Sequence, residues 1–236
     1  MYLDFARYGS RMVSAVEPKG GVWRSRMYQK IKSLFVIFCL VLFGCGQPRI
    51  TNLASNGENI ICLGNSITAG SGASEGEDYP SLLGKRLGLP VINAGVSGDT
   101  TLDALKRINE DVLSKNPFLV VVELGGNDFL ERVPLDETLK NIDEIIRRIQ
   151  EQGVIVILLD AKVNLFMNGY SSGYKRIAKK RGAVFVPNIL ANILNNPNLK
   201  SDYIHPNAEG YKILSGKIFE AASTVIQRNI ELKLRK

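Results

Sequence analysis

"FLVVVEL", Phe118 to Leu124, is apolar at every position except Glu123, and "GGND", Gly125 to Asp128, follows it at once. Such a run lacks the alternation of a strand with one wet face, so it predicts a strand covered on both sides. Shorter runs at Asn59–Leu63, Val91–Asn93, Val154–Leu159 and Ala183–Pro187 read the same way. Between the runs the apolar spacing changes to three and four. Leu139, Ile142, Ile145, Ile146 and Ile149 mark one face of a helix, Lys140, Asp143, Glu144, Arg147 and Arg148 fill the other, and Gly153 follows as a stop. Helices are predicted over Tyr79–Leu87, Thr101–Leu113, Leu135–Gln152 and Gly173–Arg181, with a last one at Ala208–Arg228. Strands alternating with helices predict an α/β fold, a three-layer α/β/α sandwich around a five-stranded parallel sheet.

The 236 residues, 45% hydrophobic and 22% charged, suit one globular domain with appendages. The net charge of +7 is uneven. Residues 1–44 carry seven Lys or Arg against Asp4 and Glu17, which leaves the remainder close to neutral, so a basic-patch argument for nucleic acid fails. "LFVIFCLVLF", Leu34 to Phe43, follows Lys30 and Lys32 and ends at Gly44-Cys45. Ten apolar residues are too few to span a bilayer, which needs roughly 20, and they read instead as the core of a secretory signal. "LFGC", Leu42 to Cys45, resembles a bacterial lipobox, which implies cleavage before Cys45, a lipid on that cysteine, and a domain held on the envelope facing the periplasm. Residues 1–26 read as an upstream extension, 27–44 as the signal, 45–58 as a tether, 59–228 as the functional domain and 229–236 as a basic tail. Cys62 is then a small buried hydrophobe with no disulfide partner.

In open parallel sheets, ligands bind outside the carboxyl ends of the strands. "GNS" (Gly64 to Ser66), "AGVSGD" (Ala94 to Asp99) and "GGND" each follow a predicted strand, and "DYIH" (Asp202 to His205) precedes the last helix. His205 is the only histidine. Pro206 disfavours the α conformation at His205, so the imidazole sits just outside the helix, with Asp202 near enough to accept from one ring nitrogen. That pair is the base and orienter of a nucleophilic triad, and Ser66 is the best-placed hydroxyl. The backbone N–H groups of Ser66 and Gly98 and the side-chain amide of Asn127 supply donors for an oxyanion. Asp99 and Asp128 read as loop braces, and Glu123 as a satisfied structural carboxylate.

"GNSIT", "AGVSGDT", "GGND" and "DYIHPN", in that order over Asn59 to about Ile226, resemble the SGNH (GDSL) hydrolases, and most closely their lysophospholipase and acyl-thioesterase branch. The resemblance implies the SGNH hydrolase-like, flavodoxin-like version of the fold and a serine esterase acting on carboxylic esters or thioesters. It implies Ser66 as nucleophile, Asp202 and His205 completing the triad, and Ser66, Gly98 and Asn127 around the oxyanion, with no cofactor and no metal. The expected partners are a small acyl ester or lipid substrate and a membrane engaged through lipidated Cys45. Asn65 departs from the family's usual Asp, a nearly isosteric change that replaces acceptors with donors. "KVNLFMNGYSSGY", Lys162 to Tyr174, offers Leu165, Phe166 and Met167 to an acyl chain. Competing readings are an O-acetylesterase for cell-wall polysaccharide and an inactive lipoprotein that only binds. A nucleotide-binding loop is disfavoured because no Gly-Lys-Ser/Thr follows Gly70, and a zinc site because one histidine and one mature free cysteine cannot build it.

Overall fold

The computed structural model describes residues 49–162 and 168–235. The expected signal, Cys45 and the trio Leu165, Phe166 and Met167 lie outside the described residues. Five strands form one sheet: β1 (Asn59–Gly64), β2 (Val91–Gly95), β3 (Pro117–Glu123), β4 (Ile155–Leu159) and β5 (Val184–Val186). Their order is β2-β1-β3-β4-β5, and every pairing is parallel. The helices are α1 (Ser66–Ala69), α2 (Tyr79–Leu87), α3 (Thr101–Asp111), α4 (Gly126–Leu130), α5 (Leu135–Glu151), α6 (Asn168–Arg181) and α7 (Ala208–Leu234).

The continuous apolar runs are explained by the two-sided cover of the sheet. Ile61, Leu63, Val120, Val122, Val156 and Leu158 pack on α3, α5 and α6. Their neighbours one residue away, Ile60, Cys62, Leu119, Val121, Ile155 and Ile157, pack on Tyr79 and Leu83 of α2 and on Tyr211, Leu214 and Ile218 of α7. Successive strand residues point to opposite faces, so both sets must be apolar. Cys62 is buried and free, as its place in β1 implied. The α5 stripe from Leu139 to Ile149 is buried, while Arg147 and Arg148 pair outward with Glu144.

Three features depart from the sequence expectation. The short helices α1 and α4 were not foreseen, because four or five residues carry no measurable period. Helix α6 begins at Asn168 rather than Gly173, and α7 continues past Arg228 to Leu234. The second half of the expected tether is folded onto the domain. Thr51 N–H donates to Gly182 O at 2.9 Å, the Asn52 amide to Gln150 O at 2.7 Å, and Glu58 N–H to Asn116 O at 2.9 Å. Buried Asn229, inside the α7 extension, donates to Leu53 O at 2.6 Å and Ser55 O at 3.1 Å. The same side chain therefore explains why the helix runs on and why the segment before β1 is fixed across the amino ends of the strands.

The strand order sets the place of the site. The chain leaves β1 toward β2 on one side and returns to β3 on the other, so the crevice opens at the carboxyl ends of β1 and β3. Gly64 is level with Glu123 across that pair, and the segments that follow them are 65–70 and 124–130.

Candidate active site

Asn65 caps α1. Its Oδ1 accepts from Ile67 N–H at 3.0 Å, and the chain leaves the short helix at Gly70, whose φ of 93° is the left-handed conformation that glycine tolerates. Ser66 is thus the first residue of a one-turn helix pressed onto the sheet edge. A Cβ on Gly64 would come within 1.9 Å of Thr68 Oγ1, and one on Gly95 within 2.3 Å of Ala69 N. Only glycines at these two positions let the turn sit so close.

The base arrives from the opposite direction. Ser201 N–H donates to His205 O at 3.0 Å and Lys200 bridges Pro206, which pinches the 200–206 loop shut before Asn207 caps α7 by accepting from Gly210 N–H. Asp202 Oδ1 accepts from the backbone N–H groups of Ile204 at 2.8 Å and His205 at 2.9 Å. Its Oδ2 lies 2.7 Å from His205 Nδ1, and His205 Nε2 lies 2.9 Å from Ser66 Oγ. Partial burial works against the charge on Asp202, yet the imidazole and the two N–H donors outweigh it and hold the carboxyl below its usual range. With Nδ1–H donated to a carboxylate, the ring keeps Nε2 free to accept from the serine.

The loop carrying Gly98 and the helix carrying Asn127 border the same turn. Val96 N–H donates to Gly64 O at 3.0 Å, Ser71 and Ser97 hydroxyls meet at 3.3 Å, and Gly98 has a φ of 89°. Asn127 Nδ2 donates to Asp99 O at 2.9 Å, which commits one amide hydrogen and leaves the second. Asp99 and Asp128 act as the braces expected of them. Asp99 pairs with Arg107 Nε at 2.6 Å, and Asp128 accepts from both the N–H and the hydroxyl of Thr101. Sequence reasoning missed Arg107, whose guanidinium also reaches Gly64 O at 3.2 Å and Ala94 O at 2.9 Å and so ties β1, β2 and the Gly98 loop together. Nothing in a charged residue on a helix marks it for that task.

Glu123 differs from its sequence reading as a satisfied carboxylate. It is wholly buried, its Oε2 accepts from Thr68 Oγ1 at 3.1 Å, and its Oε1 makes no hydrogen bond. Burial pushes the carboxyl up to about 7, against the pull of the Thr68 hydroxyl and the Asn65 N–H groups. Two strands along from Ser66, at the carboxyl ends of β4 and β5, a cleft of about 460 Å³ is lined by Asp160, Lys162, Ser171, Lys175, Phe185, Pro187 and Asn188. It shares no residue with the Ser66, His205 and Asp202 chain.

Residues 62–213 match the model of the GDSL-like lipase/acylhydrolase family. The chain belongs to that family. Like other GDSL-type acylhydrolases, it is a serine hydrolase of ester bonds. It is 28% identical over 184 residues to an arylesterase of Vibrio mimicus, covering 73% of this chain and 90% of that protein. It is 25% identical over 174 residues to thioesterase 1/protease 1/lysophospholipase L1 of Escherichia coli, covering 70% and 84%. Among solved structures, that of TesA superposes with a TM-score of 0.67 at 26% identity, covering 71% of this GDSL-type chain and 99% of TesA.

Proposed function

We propose that Ser66 is the nucleophile of a carboxylic ester or thioester hydrolase of the lysophospholipase, arylesterase and acyl-thioesterase kind. The hydrogen-bonded line from Asp202 through His205 to Ser66 Oγ carries this reading. Ser66 Oγ attacks the acyl carbonyl while His205 Nε2 takes its proton, and Asp202 holds the ring and offsets the imidazolium charge. The N–H groups of Ser66 and Gly98 and the uncommitted Asn127 amide hydrogen receive the oxyanion, each worth roughly 3–4 kcal/mol. His205 then protonates the departing alcohol or thiol, and water activated by the same ring releases the acid. In Ser66→Ala and His205→Ala, kcat on a para-nitrophenyl ester should fall by roughly 10³-fold or more with the fold retained. Full activity in Ser66→Ala overturns the reading.

We read Cys45 as the lipidated first residue of the mature chain, with the domain on the envelope facing the periplasm. The signal-like run before it supports this, and palmitate labelling lost in Cys45→Ala is the check. A second substrate class, ester-bearing cell-wall polysaccharide, is supported by the likeness to an acetylxylan esterase of Geobacillus stearothermophilus, 26% identical over 200 residues and covering 68% of this chain and 91% of that protein. Faster acetate release from an acetylated polysaccharide than acid release from a lysophospholipid in vesicles supports that class, and the reverse order removes it.

A further inference from the structure

The sequence places one carboxylate in an otherwise apolar strand, and the fold brings it directly beneath the turn that carries Ser66. Gly64 and Glu123 are partners in the β1–β3 register, so the Glu123 side chain passes under Asn65 and α1. The hydrogens around it converge. The Thr68 hydroxyl donates to Glu123 Oε2, and since a hydroxyl has one hydrogen, the Tyr79 O–H at 2.9 Å donates to Thr68. The Asn65 backbone N–H and side-chain amide lie near enough to favour the charge of the same carboxyl, although neither closes a hydrogen bond to Oε1. Four groups are thus turned toward Glu123, two from Asn65, immediately before the nucleophile, and two, the hydroxyl and the backbone N–H, from Thr68, two residues after it. The cation that would ordinarily accompany a buried carboxylate is engaged elsewhere: Arg107 binds Asp99, Asp111 and the carbonyls of Gly64 and Ala94.

We propose that Glu123 is the positioning residue of the nucleophile, its carboxyl bonded to Thr68 and set against Asn65 from below so that Ser66 Oγ stays in line with His205. The proposal rests on the reading of Ser66 as nucleophile. A buried charge with one bare oxygen is unfavourable, and a glutamine of the same shape would cost less. The donors around it offset only part of that cost. They leave no slack, because the turn is wedged between Gly64 and Gly95 with no space for even a methyl group. Protonation would turn an acceptor oxygen into a donor facing donors and loosen the grip.

Tyr79 on α2, Tyr174 on α6 and Tyr211 on α7 interact with Glu123 from the surrounding elements, and Cys62 on β1 interacts in turn with Tyr79. Burial pushes all four upward, so they stay neutral through physiological pH. Asp78 and Asp202 act on Tyr211 from farther out and add negative field. Among these neighbours, Glu123 itself changes charge close to neutrality. The active form therefore needs two groups without a proton, His205 as base and Glu123 as anchor.

The experiment is a pH profile with two variants. In wild type, the acid limb of log kcat/KM should fall with a slope of about two, one proton for each group. Glu123→Gln should lower kcat by roughly 10–100-fold with little change in KM, as expected for a displaced nucleophile, and reduce the slope to about one. Its stability moves the other way. A carboxyl raised from 4.5 to about 7 binds its proton more tightly in the folded state, so wild-type stability falls as pH rises through that window. Glu123→Gln escapes this loss and should melt at or above the wild-type temperature at pH 8. The exchanged pair, Asn65→Asp with Glu123→Gln, restores one carboxylate facing one amide and should recover most of the kcat. A slope of one in wild type, a Glu123→Gln enzyme with unchanged kcat, or no recovery in the folded double variant overturns the proposal. Activity surviving in Ser66→Ala would instead overturn the nucleophile assignment beneath it.

Discussion

The turn that presents Ser66 and the loop that presents His205 meet at a 2.9 Å hydrogen bond, but different forces hold them. Around Ser66, Asn65, Thr68 and Glu123 are buried, and glycines 64 and 95 let the turn press into the sheet. Around His205, the Asp202 side chain is 50% exposed and Tyr203 is 89% exposed. The loop keeps its shape through its own backbone, with Ser201 N–H on His205 O and the N–H groups of Ile204 and His205 on Asp202. Tertiary packing fixes the nucleophile and local chain geometry fixes the base. Steric intrusion on the first should cost stability and rate together, and damage to the second rate alone.

The strongest test of that contrast is Asp202→Asn. Asparagine keeps an oxygen for the two backbone donors, so the loop should stand and the melting temperature should stay within about 1 °C. Its amide would face His205 Nδ1, however, and favour the tautomer that carries hydrogen on Nε2, which cannot accept from Ser66. We expect kcat to fall by roughly 10³-fold. A melting temperature lowered by many degrees would show that the base loop, too, leans on the protein interior.

Gly95→Ala probes the other side. Its added Cβ would meet Ala69 N at 2.3 Å, a backbone atom of α1 that cannot swing aside as a side chain can. Overpacking of this kind costs typically 1–3 kcal/mol, or roughly 3–10 °C of melting temperature in a domain of this size. The rate should drop with it, because the strain is relieved by moving the turn. An unchanged melting temperature together with an unchanged rate would mean that the turn is looser than its contacts imply.

The same contrast explains what could be read from the sequence. Long-range order was legible where periodicity was long: the β3 run, the α5 stripe and the alternation of strands with helices led to the five-stranded parallel sheet. The base loop was legible because Asp202, His205 and Pro206 lie within five residues, and local spacing limits what they can do. The buried support of Ser66 was not. Glu123 stood out in "FLVVVEL", but its partners Thr68 and Tyr79 lie 55 and 44 positions away and carry no shared pattern. Asn229 was hidden for the same reason, since an asparagine among Arg228, Glu231 and Lys233 resembles a wet helix end until the fold lays residues 53–55 against it.

Asn65→Asp should give the smallest effect and the finest discrimination. It sets a second carboxylate beside Glu123 in a site that burial already makes hostile to one charge. Two such groups cannot both ionise at neutral pH, so they share a proton, and a carboxylic acid beside a carboxylate replaces the amide that stood there before. The turn keeps one acceptor-rich and one donor-bearing partner, and the introduced carboxyl retains an oxygen for Ile67 N–H. We expect kcat/KM to change by less than about tenfold near pH 7, or about 1.4 kcal/mol. The deficit should widen above neutrality as the shared proton leaves and the two charges repel directly under Ser66. The Asp202→Asn enzyme, altered on the exposed side of the same hydrogen bond, should show no such widening. A thousandfold gain in Asn65→Asp would carry a different meaning: asparagine would then be what silences Ser66, and a binding role would describe this chain better than catalysis.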